Sequence, residues 1–324
     1  MVRSIFKRVR RRFLQIPESE ATFAVRGFAA NSQGAKEHLE SVGIVFLHGY
    51  HAAIDVDDAA DLKGILDQVD TEYRGFAAEG AAMATWLLDS VSLCNRDGWS
   101  RYSSFVGDAH PYVLHVGIGW AIARLPWQRR RLDNYLDRFD SLFKWLIVDG
   151  YGFHEGYFHS VRSLPPIMRR PPLNGYARRA FDQGLGRSLW FFAGADPKQI
   201  IQIINAFSTE RRPDLWSGVG LACCYAGISS EAEIHLLAQG AADYVAHFCQ
   251  GVTFGAEARA RGGILTSNAD LVCQVACGMS AVEAARVTLK ARNRLSDSVQ
   301  VGERYEFWRS EVRSMLKESA LTMS

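Results

Sequence analysis

The sequence predicts an all-α protein built from two related helical halves, and three observations support this fold class. Hydrophobic residues recur at helical spacing along most of the chain, and no run alternates as an amphipathic strand does. Glycines recur as two pairs, 37 residues apart (117 minus 80) and 34 apart (218 minus 184): Gly80 with Gly117, and Gly184 with Gly218. Trp86 and Trp190 each follow the leading glycine of a pair by six positions. Such periods predict solenoid-like, tetratricopeptide-like packing of helical hairpins.

Composition is typical of a globular cytoplasmic protein. Of 324 residues, 48% are hydrophobic and 22% charged, and the net charge of +2 is too small to indicate a nucleic-acid partner. Six cysteines without regular spacing are typical of reduced thiols. No apolar run reaches the roughly 18 residues of a membrane span. The chain has no dinucleotide fingerprint, phosphate-binding glycine loop or nucleophile elbow, so we predict no cofactor.

The N-terminal segment, residues 1–17, is a separate basic element. Its basic residues are Arg3, Lys7, Arg8, Arg10, Arg11 and Arg12. As a helix it carries its large apolar side chains on one face: Phe6, Val9, Phe13 and Ile16. Such a face is typical of peripheral contact with an anionic membrane, here through residues 1–16. The alternative is a basic tail that docks on an acidic face of the same protein.

The N-terminal helical half, residues 18–162, contains an aspartate-rich run: Asp55, Asp57, Asp58 and Asp61. Its spacing matches the acid motif of class II terpene cyclases and also the aspartates that hold magnesium against a diphosphate. Both sites need further partners that the sequence does not show. Aspartates are also favoured at the start of a helix by capping and by the helix dipole. We expect such a helix from Ala60 to Val69, and whether the aspartates also function stays open.

A further helix is predicted from Leu132 to Val148, where large apolar residues follow helical spacing and Gly150 supplies the stop. The segment from Asp149 to His159 is the densest polar cluster of the chain. Because it also contains two further glycines among aromatic residues, we predict a turn there.

This cluster supplies the predicted catalytic residues. Glu155 and His159 are four residues apart and can form a carboxylate–imidazole pair, which holds a general base in one tautomer. His154 lies beside them, and Asp149 or Glu79 is expected in support. His154 and His159 are five residues apart, about 140° around a helix, so we predict no metal site from a regular helix. A loop-shaped metal site with Asp149 and a ligand from the C-terminal half stays open. The alternative is that these groups tie an aromatic turn to the core through hydrogen bonds.

A boundary is predicted at residues 163–174, because prolines interrupt helices: Pro165, Pro166, Pro171 and Pro172. The C-terminal helical half, residues 175–324, follows. Its predicted helices are Asp214–Gly227, which resembles the first helix of a tetratricopeptide repeat, one that begins at the capping box of Ser280 with Glu283, and one from Glu303 to about Lys317.

A third group of residues is a candidate for binding an acidic ligand. Arginines bind phosphate or carboxylate groups through two parallel hydrogen bonds, and several lie near the second glycine pair. The predicted ligand-binding residues are His115, Arg178, Arg179, Asp182, Arg187, Trp190 and Trp216. The alternatives are ion pairs between neighbouring helices, with Asp182 and Asp214 as acidic partners, and a buried, hydrogen-bonded role for His115.

Five segments together resemble one family. They are Arg74–Ala84, His115–Ala121, Asp149–His159, Arg179–Trp190 and Asp214–Gly227. They are similar to the uncharacterised soluble proteins encoded beside the iterative polyketide synthase in enediyne gene clusters, and the resemblance extends from about Phe23 to Arg309. It implies a place in that pathway but no residue roles, because the family has no established reaction. The basic segment and the aspartate run are not features of that family.

We therefore expect an accessory protein of polyketide-type biosynthesis that binds an apolar polyene intermediate, the synthase or its carrier protein. The 18 Phe, 11 Tyr and 8 Trp residues favour an aromatic groove between helices. One alternative is a cyclase or isomerase that acts on a polyene or isoprenoid by acid/base chemistry. The other is a peripheral membrane scaffold. Whether the protein is an enzyme stays open.

Overall fold

A computed structural model describes residues 10–92, 97–169, 173–295 and 304–323. Within these ranges the chain forms helices and loops and no strand, which confirms the all-α fold class. The helices are α1 (Phe23–Arg26), α2 (Gln33–Asp55), α3 (Ala59–Asp67), α4 (Arg74–Val91), α5 (Gly98–Val106), α6 (Pro111–Arg124), α7 (Pro126–Arg129), α8 (Leu132–Leu136), α9 (Lys144–Arg169), α10 (Gly175–Phe192), α11 (Pro197–Asn205), α12 (Arg212–Ala226), α13 (Glu231–Ala241), α14 (Val245–Arg261), α15 (Ser267–Cys277), α16 (Ala281–Asn293) and α17 (Arg304–Met323).

Eight helices form an inner row, in which each helix packs against the next one along the chain: α2, α4, α6, α9, α10, α12, α14 and α16. Shorter helices connect members of the row and pack on one another, as α3 does on α5 and α13 does on α15. The C-terminal helix α17 lies against α14 and α16.

A Gly-x-Gly motif lies where successive inner helices cross. It occurs in α6, α9, α10 and α12, as Gly117/Gly119, Gly150/Gly152, Gly184/Gly186 and Gly218/Gly220. In each motif the first glycine faces the preceding helix of the row and the second faces the following one. A Cβ on Gly152 would overlap the backbone of Phe181, and a Cβ on Gly184 would overlap the backbone of Asp149. The helices therefore approach to backbone contact, which a side chain at these positions would prevent.

Several predictions about α9 are wrong. The predicted helix from Leu132 to Val148 is interrupted at residues 137–143, and the segment predicted as a turn lies inside α9. Gly150 does not stop the helix. It lies where α9 crosses α6, and the packing there offsets the roughly 1 kcal/mol that glycine costs inside a helix. Helix α9 also continues through Pro165 and Pro166 to Arg169, so the first part of the predicted linker is helical. Residues 170–172 lie outside the described ranges.

The other predicted helices form close to their expected bounds. Asp58 is the N-cap of α3, and Ser280 and Glu283 form the predicted capping box at the start of α16. The last helix begins at Arg304 and extends beyond the predicted end, to Met323. Within the described residues, none of the helices combines the length and the apolar character that crossing a bilayer requires.

Candidate functional site

An aromatic cavity lies inside the inner row, between α2, α4, α6, α9, α10 and α12. Eight aromatic side chains line it: Phe46, Phe76, Trp120, Phe153, Tyr157, Phe158, Phe191 and Tyr225. The space between atoms, with the open mouth included, is about 620 Å³, but only about 50 Å³ is wide enough for the centre of a water molecule. The aromatic cavity is therefore narrow as well as apolar.

Three acidic or basic side chains line the aromatic cavity: Glu20 from the segment before α1, Glu79 from α4 and Arg187 from α10. Arg187 Nη1 donates to Oδ1 of Asp149 in α9 at 2.5 Å, and its guanidinium lies over the ring of Phe153 at 4.9 Å from the centroid. The other oxygen of Asp149 accepts a hydrogen bond from Gln183 Nε2 at 2.8 Å. Glu79, Asp149 and Arg187 are all buried. One guanidinium therefore faces two buried carboxyl groups.

Glu79 is partly protonated near neutral pH. Burial raises its pKa from 4.5 to about 7, Asp149 adds to the rise, and the guanidinium of Arg187 opposes it. Asp149, by contrast, accepts hydrogen bonds from both Arg187 and Gln183. A protonated carboxyl group in an apolar pocket is the usual arrangement of a general acid.

A second cavity, of about 480 Å³ between atoms, lies on the other side of Arg187 and Tyr225. The side chains of these two residues line both cavities. Asp149, Tyr112 and Glu257 stand in its wall. Burial raises the pKa of the Tyr112 hydroxyl, so it stays protonated. Arg187 therefore separates the cavity that contains Glu79 from the one that contains Asp149.

A row of buried polar side chains continues from Asp149 through the next helices. The hydroxyl oxygen of Ser217 lies 3.3 Å from Oε1 of Gln183 and 3.2 Å from Oε1 of Gln250, to which Arg309 Nε also donates at 3.1 Å. Asp149, Gln183 and Ser217 each precede the first glycine of a motif, 34 residues apart (183 minus 149, and 217 minus 183). Our sequence reasoning missed this row. The signal was a polar residue directly before the first glycine in three of the four motifs, those of α9, α10 and α12.

A polar cleft opens on the surface beside the aromatic cavity, and Glu20 and Phe158 border both. It has about 980 Å³ between atoms, of which about 510 Å³ is wide enough for the centre of a water molecule. Its wall contains three arginines, Arg26, Arg124 and Arg129. Unlike the aromatic cavity, the cleft is wide, polar and positively charged.

His154 and His159 line this polar cleft, with Glu155 between them in sequence. His154 Nδ1 lies 3.3 Å from Glu155 Oε1, and one ligand atom from each of the three residues lies within 4.8 Å of the others, so the cluster could hold a metal ion. The expectation that the two histidines cannot reach one site is wrong. An angle of about 140° describes where the side chains leave the helix, and both imidazoles extend beyond that point and bend together.

The predicted catalytic residues therefore belong to two different places. His154 and His159 line the polar cleft, and Glu155 brings a carboxylate oxygen within 4.8 Å of both imidazoles. Asp149 and Glu79, which were expected in support of them, lie instead with Arg187 between the two interior cavities. Asp149 is six residues before Glu155, about 9 Å along the helix axis and about 120° around it, so its side chain meets a different set of neighbours.

Two of the three arginines predicted to bind a ligand, Arg179 and Arg187, form ion pairs between helices. Arg179 Nε lies 3.1 Å from Asp214 Oδ2. Arg211, which is outside the predicted set, donates from Nε to Asp182 Oδ2 at 2.9 Å. Arg178 lies partly buried on α10. Asp182 and Asp214 are thus the acidic partners that the alternative of ion pairs between helices predicts. Arg187 is the member of the set that lines both cavities.

The aromatic members of the predicted ligand set also have structural positions. Trp190 and Trp216 are core side chains, 0% and 1% exposed. His115 Nδ1 lies 2.6 Å from the carbonyl oxygen of Pro111, and the ring packs against Trp99 and Phe143. Burial lowers the pKa of His115, which keeps the ring neutral.

The aspartate-rich run holds the end of the basic segment. Asp58 accepts hydrogen bonds from two backbone N–H groups in the first turn of α3. Arg10 pairs with Asp57 at 2.8 Å, and Arg11 pairs with Asp55 at 2.5 Å. These two arginines therefore dock on an acidic face of the same protein. Residues 1–9 lie outside the described ranges, so the predicted membrane contact stays a prediction.

Comparison with known protein families gives a match over almost the whole length of the sequence. A family model described as "Protein of unknown function (DUF1702)" matches residues 5–316. No curated protein matches the sequence, and no solved structure does. The matched region contains the inner row, both interior cavities and the polar cleft. The chain therefore belongs to the DUF1702 family of proteins of unknown function.

Proposed function

We propose that this protein binds an apolar small molecule of the polyene class in the aromatic cavity, as an accessory protein of polyketide-type natural-product biosynthesis. The observation that carries the proposal is the cavity itself, in which eight aromatic side chains surround a narrow space inside the inner row. Concave, mostly apolar pockets with a few polar groups are the usual sites for small ligands. The enediyne pathway is supported by the resemblance of the sequence motifs.

The shape and chemistry of the aromatic cavity suit a conjugated chain. A flat polyene fits between aromatic rings where a bulky ligand does not, and each Å² of apolar surface that leaves water contributes roughly 25 cal/mol. Glu79 and Arg187 supply polar groups in the wall that can fix the orientation of such a ligand. The adjoining polar cleft gives a charged end of the same ligand access to water.

Binding can be tested with a conjugated tetraene fatty acid, whose fluorescence rises when it leaves water. We expect the purified protein to bind it with a dissociation constant of about 1 μM or below, which is about −8 kcal/mol. Ala222→Phe, which fills the aromatic cavity from α12, should weaken binding at least tenfold. Circular dichroism must show that this variant is folded.

The matched control is Phe105→Ala, because Phe105 is an exposed ring, 50% accessible, on α5. It should bind the tetraene as the wild type does. Equal binding by wild type and Ala222→Phe, or none by wild type, contradicts the proposal. Capture of the synthase or its carrier protein by a wild type that binds no polyene would favour the protein partner instead.

A second function, isomerisation or cyclisation of a polyene or isoprenoid, is favoured by the proton on Glu79. The carboxyl group would transfer this proton to an alkene carbon, which leaves a carboxylate beside Arg187 and a carbocation against the aromatic faces. Loss of a proton from the product carbon would return it to Glu79. Glu155 and His159 lie at the cleft and are not needed for this step.

If this chemistry occurs, Glu79→Gln should retain tetraene binding but form product at least 100-fold more slowly, since general acids contribute about 10²–10⁴-fold. The wild-type rate should fall as the pH rises through about 7, because Glu79 then loses its proton. Product is measured by chromatography after incubation with a polyene. An unchanged rate in Glu79→Gln excludes this role, and Glu155→Gln with His159→Ala serves as the matched control.

A further inference from the structure

We propose that His154, Glu155 and His159 bind a divalent transition-metal ion of the zinc class, which stands open to the polar cleft. These three residues do not line the aromatic cavity, so their binding of a metal is independent of the ligand of that cavity.

The donor set suits zinc. Two imidazoles and one carboxylate, with a fourth position left for water or another ligand, are a common set for zinc sites that stay open. Tetrahedral donors about 2.0–2.1 Å from the metal lie about 3.4 Å from each other. His154 Nδ1 and Glu155 Oε1 are already 3.3 Å apart. All three donor atoms lie within 4.8 Å, so His159 needs to move by little more than 1 Å.

Two of the three ligands are held in place before any metal binds. His154 is buried, 4% exposed, and its ring packs against Phe158 at 4.8 Å and Trp120 at 5.7 Å between centroids. The Glu155 side chain is 14% exposed. His159 is the exposed member, so its imidazole is free to rotate onto the ion. Such pre-positioning lowers the entropy cost of assembling the site.

The charges around the site indicate what completes the coordination. Arg124 and Arg129 line the same cleft, and Arg124 forms no ion pair with any residue that the structure describes. Arg26, by contrast, is paired with Glu20. Two guanidinium groups near a dication repel it unless an anion lies between them. The site therefore suits a metal ion together with an oxyanion, a carboxylate or phosphate group, which binds the open position and the arginines.

Zinc binding is tested by equilibrium dialysis of the metal-free, full-length protein against Zn²⁺, with and without inorganic phosphate. We expect one zinc ion per chain. His159→Ala and Glu155→Gln should each weaken binding at least tenfold. Phosphate should tighten zinc binding to the wild type, and Arg124→Ala should reduce that effect. Because His159 is exposed, its variant should unfold at the wild-type temperature when zinc is absent.

The matched control is His235→Ala. His235 is also exposed and also has a glutamate four residues before it, Glu231, at 3.7 Å. It belongs to no cluster of three possible ligands among the described residues, so its removal should leave zinc binding unchanged. The proposal is overturned if the wild type takes up no stoichiometric zinc, or if His159→Ala binds zinc as tightly as His235→Ala does.

Discussion

Gly184→Ala should lower the free energy of unfolding by about 3 kcal/mol or more, although alanine is the better helix former. The added Cβ would overlap the carbonyl oxygen, carbonyl carbon and Cα of Asp149. These are atoms of a helix backbone, so no rotation of a side chain relieves the overlap. Helices α9 and α10 would have to separate, which also disturbs the hydrogen bonds between Asp149 and the side chains of Arg187 and Gln183. Urea unfolding followed by circular dichroism measures the loss.

The matched control is Gly64→Ala, the same substitution inside helix α3. A Cβ on Gly64 would have no atom within 4 Å. Here only the conformational freedom of glycine is removed, so the variant should gain roughly 0.5–1 kcal/mol. The two variants are therefore expected to differ in sign. If Gly184→Ala is as stable as Gly64→Ala, then α9 and α10 do not cross at backbone contact.

The period of the fold could be read from the sequence, but the role of the glycines was only partly recognised. Gly117 and Gly218 belong to the recurring pairs that predict packed helical hairpins, and each lies at a crossing of two inner helices. Gly150 and Gly152 belong to the same series, yet they were interpreted as a stop and a turn. Local propensity does favour that interpretation, since glycine weakens an isolated helix. The contact with α6 and α10 that outweighs the propensity is not visible in the local sequence.

The residues of the candidate sites were found more readily than their grouping. Glu79, Asp149 and Arg187 come from three different helices, and they meet because the crossings set the register of α4, α9 and α10. Nothing in the spacing of these three residues shows that one guanidinium faces both carboxyl groups. The prediction that His154 and His159 cannot reach one site was wrong for another reason. The helical angle was correct, but the reach of two imidazole side chains was left out.

Arg187 lies buried between the two cavities, and we expect it to contribute strongly to stability. Arg187→Met should lower the free energy of unfolding by about 3–5 kcal/mol, because it leaves the carboxylate of Asp149 buried without its cation. Glu79 avoids the same penalty, since its carboxyl group stays protonated when the guanidinium is gone. The double variant Arg187→Met with Asp149→Asn should regain much of the loss. It removes both charges and still offers Gln183 an oxygen acceptor.

An exposed ion pair provides the matched control for this cycle. Arg294 Nη1 lies 3.1 Å from Glu311 Oε2, and the arginine side chain is 49% exposed, so Arg294→Met should cost only about 0–1 kcal/mol. Urea unfolding of the wild type, the three cavity variants (Arg187→Met, Asp149→Asn and the double) and this control gives the coupling energy directly. Strict additivity of Arg187→Met and Asp149→Asn would show that the two charges do not interact. The wall between the cavities would then be held by packing around Tyr225, which also lines both.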